Sequence, residues 1–355
     1  MEIKVPRAVL ENRVSQLVGF LNKRENDVTS HIYIEGSREG VVTLRATDRD
    51  LGLEVKISGE VGEPGAATLE GKKFANLLKA TKRGDLVELK KSNGEVEVSV
   101  GNYRFRFGSY DPEEFPEFPV VEGDRLPISV EQLVTGFQKV LHTIDTNSPK
   151  PELNCGLVDI REKELRLVGS DTRRMGIFRL EVGGREEKFL IPRKGLIELG
   201  RVYTPEMELI YDETFLIGRS DQLLFFSRLC GGKFPTYDPI IPKEYFKTFT
   251  LPKVEFRESL RPLLVFSQEV FFRFLPDGVV LESQASAVEG SGEVKIPVET
   301  GVEEEYRIGV NGKYLLDFLA VVEGEEFQFG VQEDPTKPFA VWEKEYLEIM
   351  MPLIL

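Results

Sequence analysis

Apolar residues recur at helical spacing in three short segments, "KKFANLLKA" near residue 72, "RKGLIELGRV" from 193 and "GKYLLDFLAVV" from 312. Three further segments show the same period and open on proline or serine, residues that suit a helix start: "PRAVLENRVSQLVGFLNK" from Pro6, "SVEQLVTGFQKVLHTI" from Ser129 and "PKVEFRESLRPLLVFSQ" from Pro252. Between them lie runs with alternating or aromatic-rich character, among them "VVTLRATDRDLGLEVKI", "VEVSVGNYRFRFG", "ELRLVGSDTRRMGIFRLEV", "MELIYDETFLIG" and "VVLESQASAVEGSGEVKIPV", which read as strands.

Aligned on Lys73, Lys194 and Lys313, the short helical segments stand about 120 residues apart, a third of the chain. The phrases around Phe115-Pro116 and Phe234-Pro235 keep the same interval, and their proline-rich, non-periodic composition marks linkers. The expected fold class is α+β: three similar domains, 1–120, 121–246 and 247–355, each with two helices packed on antiparallel sheet.

Composition adds exclusions. The chain has 355 residues, 41% hydrophobic and 30% charged, as in a folded globular protein. No run of about 18 apolar residues occurs and the N-terminus lacks a basic-then-apolar leader, so no membrane partner and a cytoplasmic location are expected. Cys155 and Cys230 stand alone, without a CxxC pair, and His31 and His142 lie far apart, so neither a zinc site nor a disulfide framework is expected; both cysteines read as packing residues. Asp48 and Asp50 in "TDRD" suit a turn cap or a solvated strand better than a divalent site, which needs more oxygen ligands. Ser170-Asp171 has no nearby histidine and no GxSxG elbow, and no phosphate loop is present. Neither a cofactor nor an enzymatic activity is expected.

The formal net charge is -14, yet "KKFANLLKATKR" carries five positive charges and no negative one. At about 100° per residue, Lys72, Lys79 and Arg83 share one face and Phe74, Leu77 and Leu78 the other. A solvated face would carry mixed signs and i,i+4 pairs. Basic residues return at matching places: Lys23 and Arg24 at the end of the first helix, and Arg193, Lys194 and Arg201 on the equivalent helix of the second third. Such residues suit phosphate contacts without sequence readout.

"IPRKGLIEL", "GSDTRRMGIF", "GKFPTYDPIIP" and the terminal "MMPLIL", in this order and spacing along the whole chain, resemble the bacterial DNA polymerase sliding clamp, the beta subunit of the replicative DNA polymerase III. The resemblance implies a DNA-replication processivity factor: three like domains per chain, and a head-to-tail homodimeric ring with helices around a hole for double-stranded DNA. It places Lys23 or Arg24, Lys72, Asn147, Lys150, Arg193 and Lys194 towards DNA. It sets Arg104 and Phe105 against the partner's third-domain helix around Val265 and Phe266. It gathers Ser170, Thr172, Arg173, Arg174, Met175, Pro235, Pro239, Ile240, Asn311, Tyr314, Ile349, Met351, Pro352 and Leu353 into a groove. Short peptides of polymerase subunits, the clamp loader and repair proteins would bind there. Read from residues alone, Arg173 and Arg174 are an edge or turn ending in charges. The chain departs from the family in having Pro239 and Ile354 where basic residues are frequent, Gly312 beside Lys313 instead of a cation, and prolines with Glu152 in "DTNSPKPEL". The alternative is an α+β repeat scaffold for protein–protein contact that does not encircle DNA.

Overall fold

A computed structural model describes residues 1–24, 27–81, 84–120, 122–284 and 290–354, apart from the side chain of Gln284. Arg83 therefore lies outside the described residues. Among those described, an order of one strand, a helix, four strands, a helix and three strands recurs, with one additional strand in the first run. The first run is β1 (Glu2–Pro6), α1 (Arg7–Leu17), β2 (His31–Gly36), β3 (Val41–Thr47), β4 (Leu51–Ser58), β5 (Glu60–Glu63), β6 (Gly65–Glu70), α2 (Gly71–Ala80), β7 (Leu86–Ser92), β8 (Glu95–Val100) and β9 (Tyr103–Gly108). The second is β10 (Asp124–Arg125), α3 (Val130–Val140), β11 (Cys155–Ile160), β12 (Leu165–Ser170), β13 (Arg174–Leu180), β14 (Glu187–Pro192), α4 (Arg193–Val202), β15 (Glu208–Tyr211), β16 (Phe215–Arg219) and β17 (Leu223–Arg228). The third is β18 (Lys247–Pro252), α5 (Lys253–Leu263), β19 (Glu269–Leu275), β20 (Gly278–Gln284), β21 (Ser291–Ile296), β22 (Tyr306–Asn311), α6 (Gly312–Val321), β23 (Glu326–Val331), β24 (Phe339–Glu343) and β25 (Tyr346–Met350).

The helix starts follow from the side chains before them. Glu70 accepts from the Lys73 N–H at 2.6 Å, Ser129 and Gln132 exchange reciprocal bonds at 2.9 and 3.1 Å, and Asn311 accepts from Lys313 and Tyr314. Helix α2 buries Phe74, Ala75 and Leu78 and exposes Lys72, Lys73, Asn76 and Lys79, the expected two faces. The opening helices are shorter than their periodic segments. Helix α1 stops at Leu17 and tightens into a 3-10 turn over Val18–Phe20, so Lys23 and Arg24 lie in the bend beyond it and not on its last turn. Gly19 permits that turn to meet the Glu198 carboxylate: a Cβ there would come within 2.2 Å of it. Helix α5 ends at Leu263 with Pro262 in its last turn, leaving Val265 and Phe266 in the turn that follows instead of on the helix.

The chain divides into two compact units, Met1–Val134 with Lys194–Leu229, and Thr135–Arg193 with Cys230–Leu355. The first holds a five-stranded sheet, β5-β1-β7-β8-β9, and an eight-stranded sheet, β10-β15-β16-β17-β4-β3-β2-β6. The second holds an eight-stranded sheet, β14-β11-β12-β13-β25-β24-β23-β18, and a four-stranded sheet, β21-β20-β19-β22. Each eight-stranded sheet is two four-stranded halves joined by one antiparallel seam, β17 with β4 in the first unit and β25 with β13 in the second. No helix among the described residues is long and apolar enough to cross a membrane.

The two seams share a register. From Thr68 the pairing runs through Tyr33 and Arg45 to Glu54, and across the seam to Leu224. From Leu190 it runs through Leu157 and Val168 to Ile177, and across to Leu347. The third copy runs from Gly309 through Phe271 and Glu282 to Glu293 on β21, which is an edge. Strand β9, built on β8 as β17 is on β16, is the edge of the five-stranded sheet, with Arg104 in the place of Leu224 and Leu347.

At the first seam Gly52 faces Phe226 so closely that a Cβ would meet the ring at 2.1 Å, and Phe118 from the following linker packs edge-on against that ring at 4.9 Å. At the second seam the equivalent pair is Met175 and Ile349.

Candidate functional site

Beside Met175 and Ile349 the second seam opens into a groove enclosing about 310 Å³. It is lined by Lys150, Leu153, Ser170, Thr172, Arg173, Arg174, Met175, Phe234, Pro235, Tyr237, Ile240, Ile349 and Met351. Leu153, Met175, Phe234, Tyr237 and Ile349 belong to one buried cluster, so its floor is the domain core showing through. Ile240 and Met351, nearly half exposed at 46% and 45%, form its lip. Burying a leucine or phenylalanine on such a floor is worth about 1.5–3 kcal/mol.

The turn between β12 and β13 supplies the polar rim. Asp171 accepts from the N–H groups of Arg173 and Arg174 at 3.0 and 2.9 Å, Ser170 Oγ donates to the Arg174 carbonyl at 2.9 Å, and Thr172 takes a φ of 72°. Ser170 is thus committed to the turn, while His142 Nε2 pairs with Glu348 at 2.8 Å. The neighbouring arginines part company. Arg173 stays at the rim, but Arg174 is buried: its guanidinium pairs with Asp171 and Asp317, both at 3.1 Å, stands 3.7 Å from Glu348 and lies 4.1 Å from the Tyr314 ring centre. The expected turn ending in charges is present, with Arg173 exposed on it and Arg174 buried at its end, because Asp317 and Glu348, distant in sequence, neutralise it inside.

Several expected groove residues lie outside the lining. Asn311 caps α6, Tyr314 stacks beneath Arg174, Pro239 sits in the 3-10 turn Asp238–Ile240, and Leu353 donates its N–H to the Gly309 carbonyl at 2.9 Å beside Pro352. That turn is pinned by Arg161 and Arg166, which donate to Asp238 at distances down to 2.8 Å; the Arg161 bond, ahead of other influences, holds the Asp238 carboxyl below its ordinary range. Asp159 beneath it is pushed up by burial, but bonds from Arg161, Tyr237 and Lys188 outweigh this and the net shift is down. Leu153, Phe234 and Tyr237 were absent from the expected lining, although Phe234 stands in the Phe-Pro phrase. Lys150, expected towards DNA, lines the groove: its loop turns through bonds between Ser148 and Asn154 that no periodicity encodes.

In the first unit Lys23, Arg24, Lys72 and Lys79 are exposed. Lys194, also exposed, reaches Asp48 Oδ2 at 2.5 Å, and Asp48 caps its own turn by accepting from Leu51 N–H at 2.8 Å. In the second unit Asn147 is exposed and Arg193 half-buried. Among the described residues no group of acidic, histidine or cysteine side chains could hold a metal ion.

The two edges carry complementary features. On β9, Tyr103 and Arg104 are exposed and Phe105 half-buried. Against β21 lies an apolar cleft of about 400 Å³ lined by Glu258, Ser259, Pro262, Leu263, Phe266, Gly292, Glu293 and Val294, with Val265 81% exposed beside it.

Residues 1–119 match the N-terminal domain and residues 127–236 the central domain of the DNA polymerase III beta subunit. The chain is 30% identical to the beta sliding clamp of Helicobacter pylori strain J99, over 97% of this chain and 94% of that one, and 26% identical to that of Halalkalibacterium halodurans, over 92% and 91%. Its fold superposes on the Helicobacter pylori beta clamp bound to a DNA ligase peptide with a TM-score of 0.93 at 28% identity, covering both chains completely. The DNA polymerase sliding clamp of Bacillus subtilis gives 0.92 at 21% identity, covering 100% of this chain and 99% of that one. By sequence over nearly its full length and by fold, the chain belongs to the DNA polymerase III beta subunit family, the non-catalytic bacterial sliding clamps.

Proposed function

We propose that two copies of this chain join head to tail into a ring that encircles duplex DNA in the cytoplasm, and that the groove beside Met175 tethers replication and repair proteins by short peptides. The observation that carries the ring is the seam register. Strand β9 stands as β17 and β25 do, and β21 as β4 and β13 do, so an intermolecular seam between them repeats a junction the chain already makes twice. In that register Arg104 falls opposite Glu293, and Phe105 opposite Gly292, whose missing side chain opens the cleft between Leu263 and Phe266. Opposite charges and a ring in a cleft are what an edge-to-edge contact needs, and heterologous contacts that close give a ring.

Three domains per chain, with boundaries near 120 and 246, make six like units in the ring. Lys23, Arg24, Lys72 and Lys79, with Asn147 and Arg193, supply the DNA-facing polar groups; Lys194 shares its charge with Asp48, and Lys150 serves the peptide. Such contacts need no tight grip, because the closed ring retains the duplex while weak phosphate contacts let it move.

The decisive experiment loads the protein with a clamp loader onto a circular plasmid and onto the same plasmid linearised. A clamp stays on the circle and leaves the line. Equal retention on both would make it an electrostatic binder, and retention on neither a scaffold. Peptide binding is checked with the DNA ligase peptide that the Helicobacter pylori clamp binds. Removing residues 351–355 takes away Met351 and should abolish that binding while leaving the ring intact.

A further inference from the structure

We propose that the pocket between the start of α2 and the end of β9 binds a nucleoside 5′-monophosphate, its phosphate held by Lys73 and Arg106, its base against Phe107 and Tyr110, and a sugar hydroxyl at His31. Neither the ring nor the peptide groove is needed for this site.

The pocket encloses about 520 Å³, within the range of small-molecule sites. Its walls are tied to β6. His31, at the start of β2, pairs with Glu70 at the end of β6, and Tyr110, just past β9, donates its N–H to Thr68 Oγ1 at 2.9 Å. Ser109 Oγ accepts from the Thr68 N–H at 3.0 Å. These ties hold the His31 and Tyr110 rings 4.6 Å apart between centres, while Phe107 packs edge-on against Phe74 of α2 at 6.2 Å. Phe107 and Tyr110 are half-buried, so each leaves part of its ring open to a flat group.

Two cations meet there without carboxylates to match them. Lys73 aligns with Lys194 and Lys313, but Lys194 pairs with Asp48 and Lys313 with Asp317, whereas Lys73 has no acidic partner among the described residues. Arg106, exposed on β9, stands 3.8 Å from Glu97, a surface pair of little worth. Glu70 is the one carboxylate of the lining, and it accepts from the Lys73 N–H at 2.6 Å to cap α2. The helix start is thereby satisfied, and an anion falls to the two side chains. A phosphate suits them, since lysine offers a point charge and arginine a planar fork of donors.

His31 supplies a second polar point. It is only 9% exposed, it lines the pocket, and its Nδ1 has no hydrogen-bond partner among the described residues. Folded proteins rarely leave a buried polar atom so. Burial, ahead of other influences, lowers the His31 pKa, and a neutral imidazole suits a hydroxyl, which can donate or accept. Inorganic phosphate would use the cations alone, and a nucleoside only the rings and His31. A nucleoside 5′-monophosphate uses all three.

The test titrates the full-length protein with adenosine 5′-monophosphate, inorganic phosphate and adenosine by isothermal titration calorimetry at low salt. Expected is one site per chain for the nucleotide, at least about tenfold tighter than for phosphate or adenosine and not displaced by the Helicobacter pylori ligase peptide. Lys73→Glu and Arg106→Glu, at exposed positions where urea unfolding should match the wild type, should each weaken nucleotide binding by about tenfold. His31→Phe, which keeps a ring and removes its nitrogens, should weaken it by about threefold. No saturable nucleotide binding, or binding no tighter than that of phosphate, would overturn the proposal. Affinity unchanged by both charge reversals, or displacement by the peptide, would overturn the site. Unchanged affinity in folded His31→Phe would overturn the hydroxyl contact, and if that variant does not fold the two exposed variants decide.

Discussion

Arg174 Nη1 stands 3.7 Å from the Glu348 carboxylate, and Glu348 is fully buried. The pair joins β13 to β25 across the second seam, with Asp171, Asp317 and the Tyr314 ring completing the surroundings of the guanidinium. Glu348 also accepts from Tyr346 at 2.7 Å, and burial, with the Glu348 charge, keeps the Tyr346 phenol well above its ordinary range. Removing the cation would strand a buried carboxylate. Arg174→Met is expected to destabilise the second unit by about 3–5 kcal/mol, and Glu348→Gln in the same chain to recover part of that loss. Urea unfolding midpoints of the two variants, with the slope checked for constancy, measure it.

Lys150 separates the two binding surfaces. Because it lines the groove, Lys150→Glu should weaken a peptide carrying an acidic residue by about tenfold and leave retention on circular DNA unchanged. The Lys72→Glu/Lys79→Glu double variant should do the reverse, lowering DNA retention and its salt dependence while peptide affinity holds. Fluorescence anisotropy and plasmid retention, run on the same preparations, distinguish them. Loss of DNA retention in Lys150→Glu would return that residue to the DNA surface.

The proposed intermolecular seam has its own charge test. Arg104→Glu should place like charges opposite each other at Glu293 and weaken self-association by about ten- to a hundredfold, as should Glu293→Arg. The two reversals combined in one chain should restore the dimer. Light scattering on size-separated protein over a dilution series reads the outcome, and a combined variant that stays monomeric would place the contact elsewhere.

Acid should loosen the groove lip first. The Asp238 carboxyl, held below its ordinary value of 3.8 by Arg161, has a folded pKa below its unfolded one. Its contribution to stability is therefore complete above the unfolded value and is lost as pH falls through the folded one. Wild-type protein should lose peptide affinity as pH drops below about 4, whereas Asp238→Asn, already lacking the charge pair, should bind more weakly at neutral pH and change less on acidification. A binding titration between neutral pH and pH 3 compares the two slopes.

How far the sequence could be read depended on the kind of signal. The two faces of α2 were legible because Phe74 and Leu78 alternate with Lys72 and Lys79 at helical period. The shortness of α1 and α5 was not, since the same apolar period continues through a 3-10 turn and past Pro262. Arg173 and Arg174 look alike in sequence, and only Asp317 and Glu348, brought in from α6 and β25, tell them apart. Lys150, placed towards DNA by resemblance, lines the groove, and its loop, held by side-chain bonds, has no face that spacing can reveal. The seams were beyond sequence reading altogether, since strand order across thirds of a chain leaves no local pattern.

Phe118 has a bearing on how many proteins can be held at once. By lying on Phe226, it occupies at the first seam the room that the groove keeps free at the second, so the chain serves as its own occupant there. In the proposed ring the Met175 groove of each protomer then stays open to a peptide, and an enzyme held there is raised to a high effective concentration at the DNA.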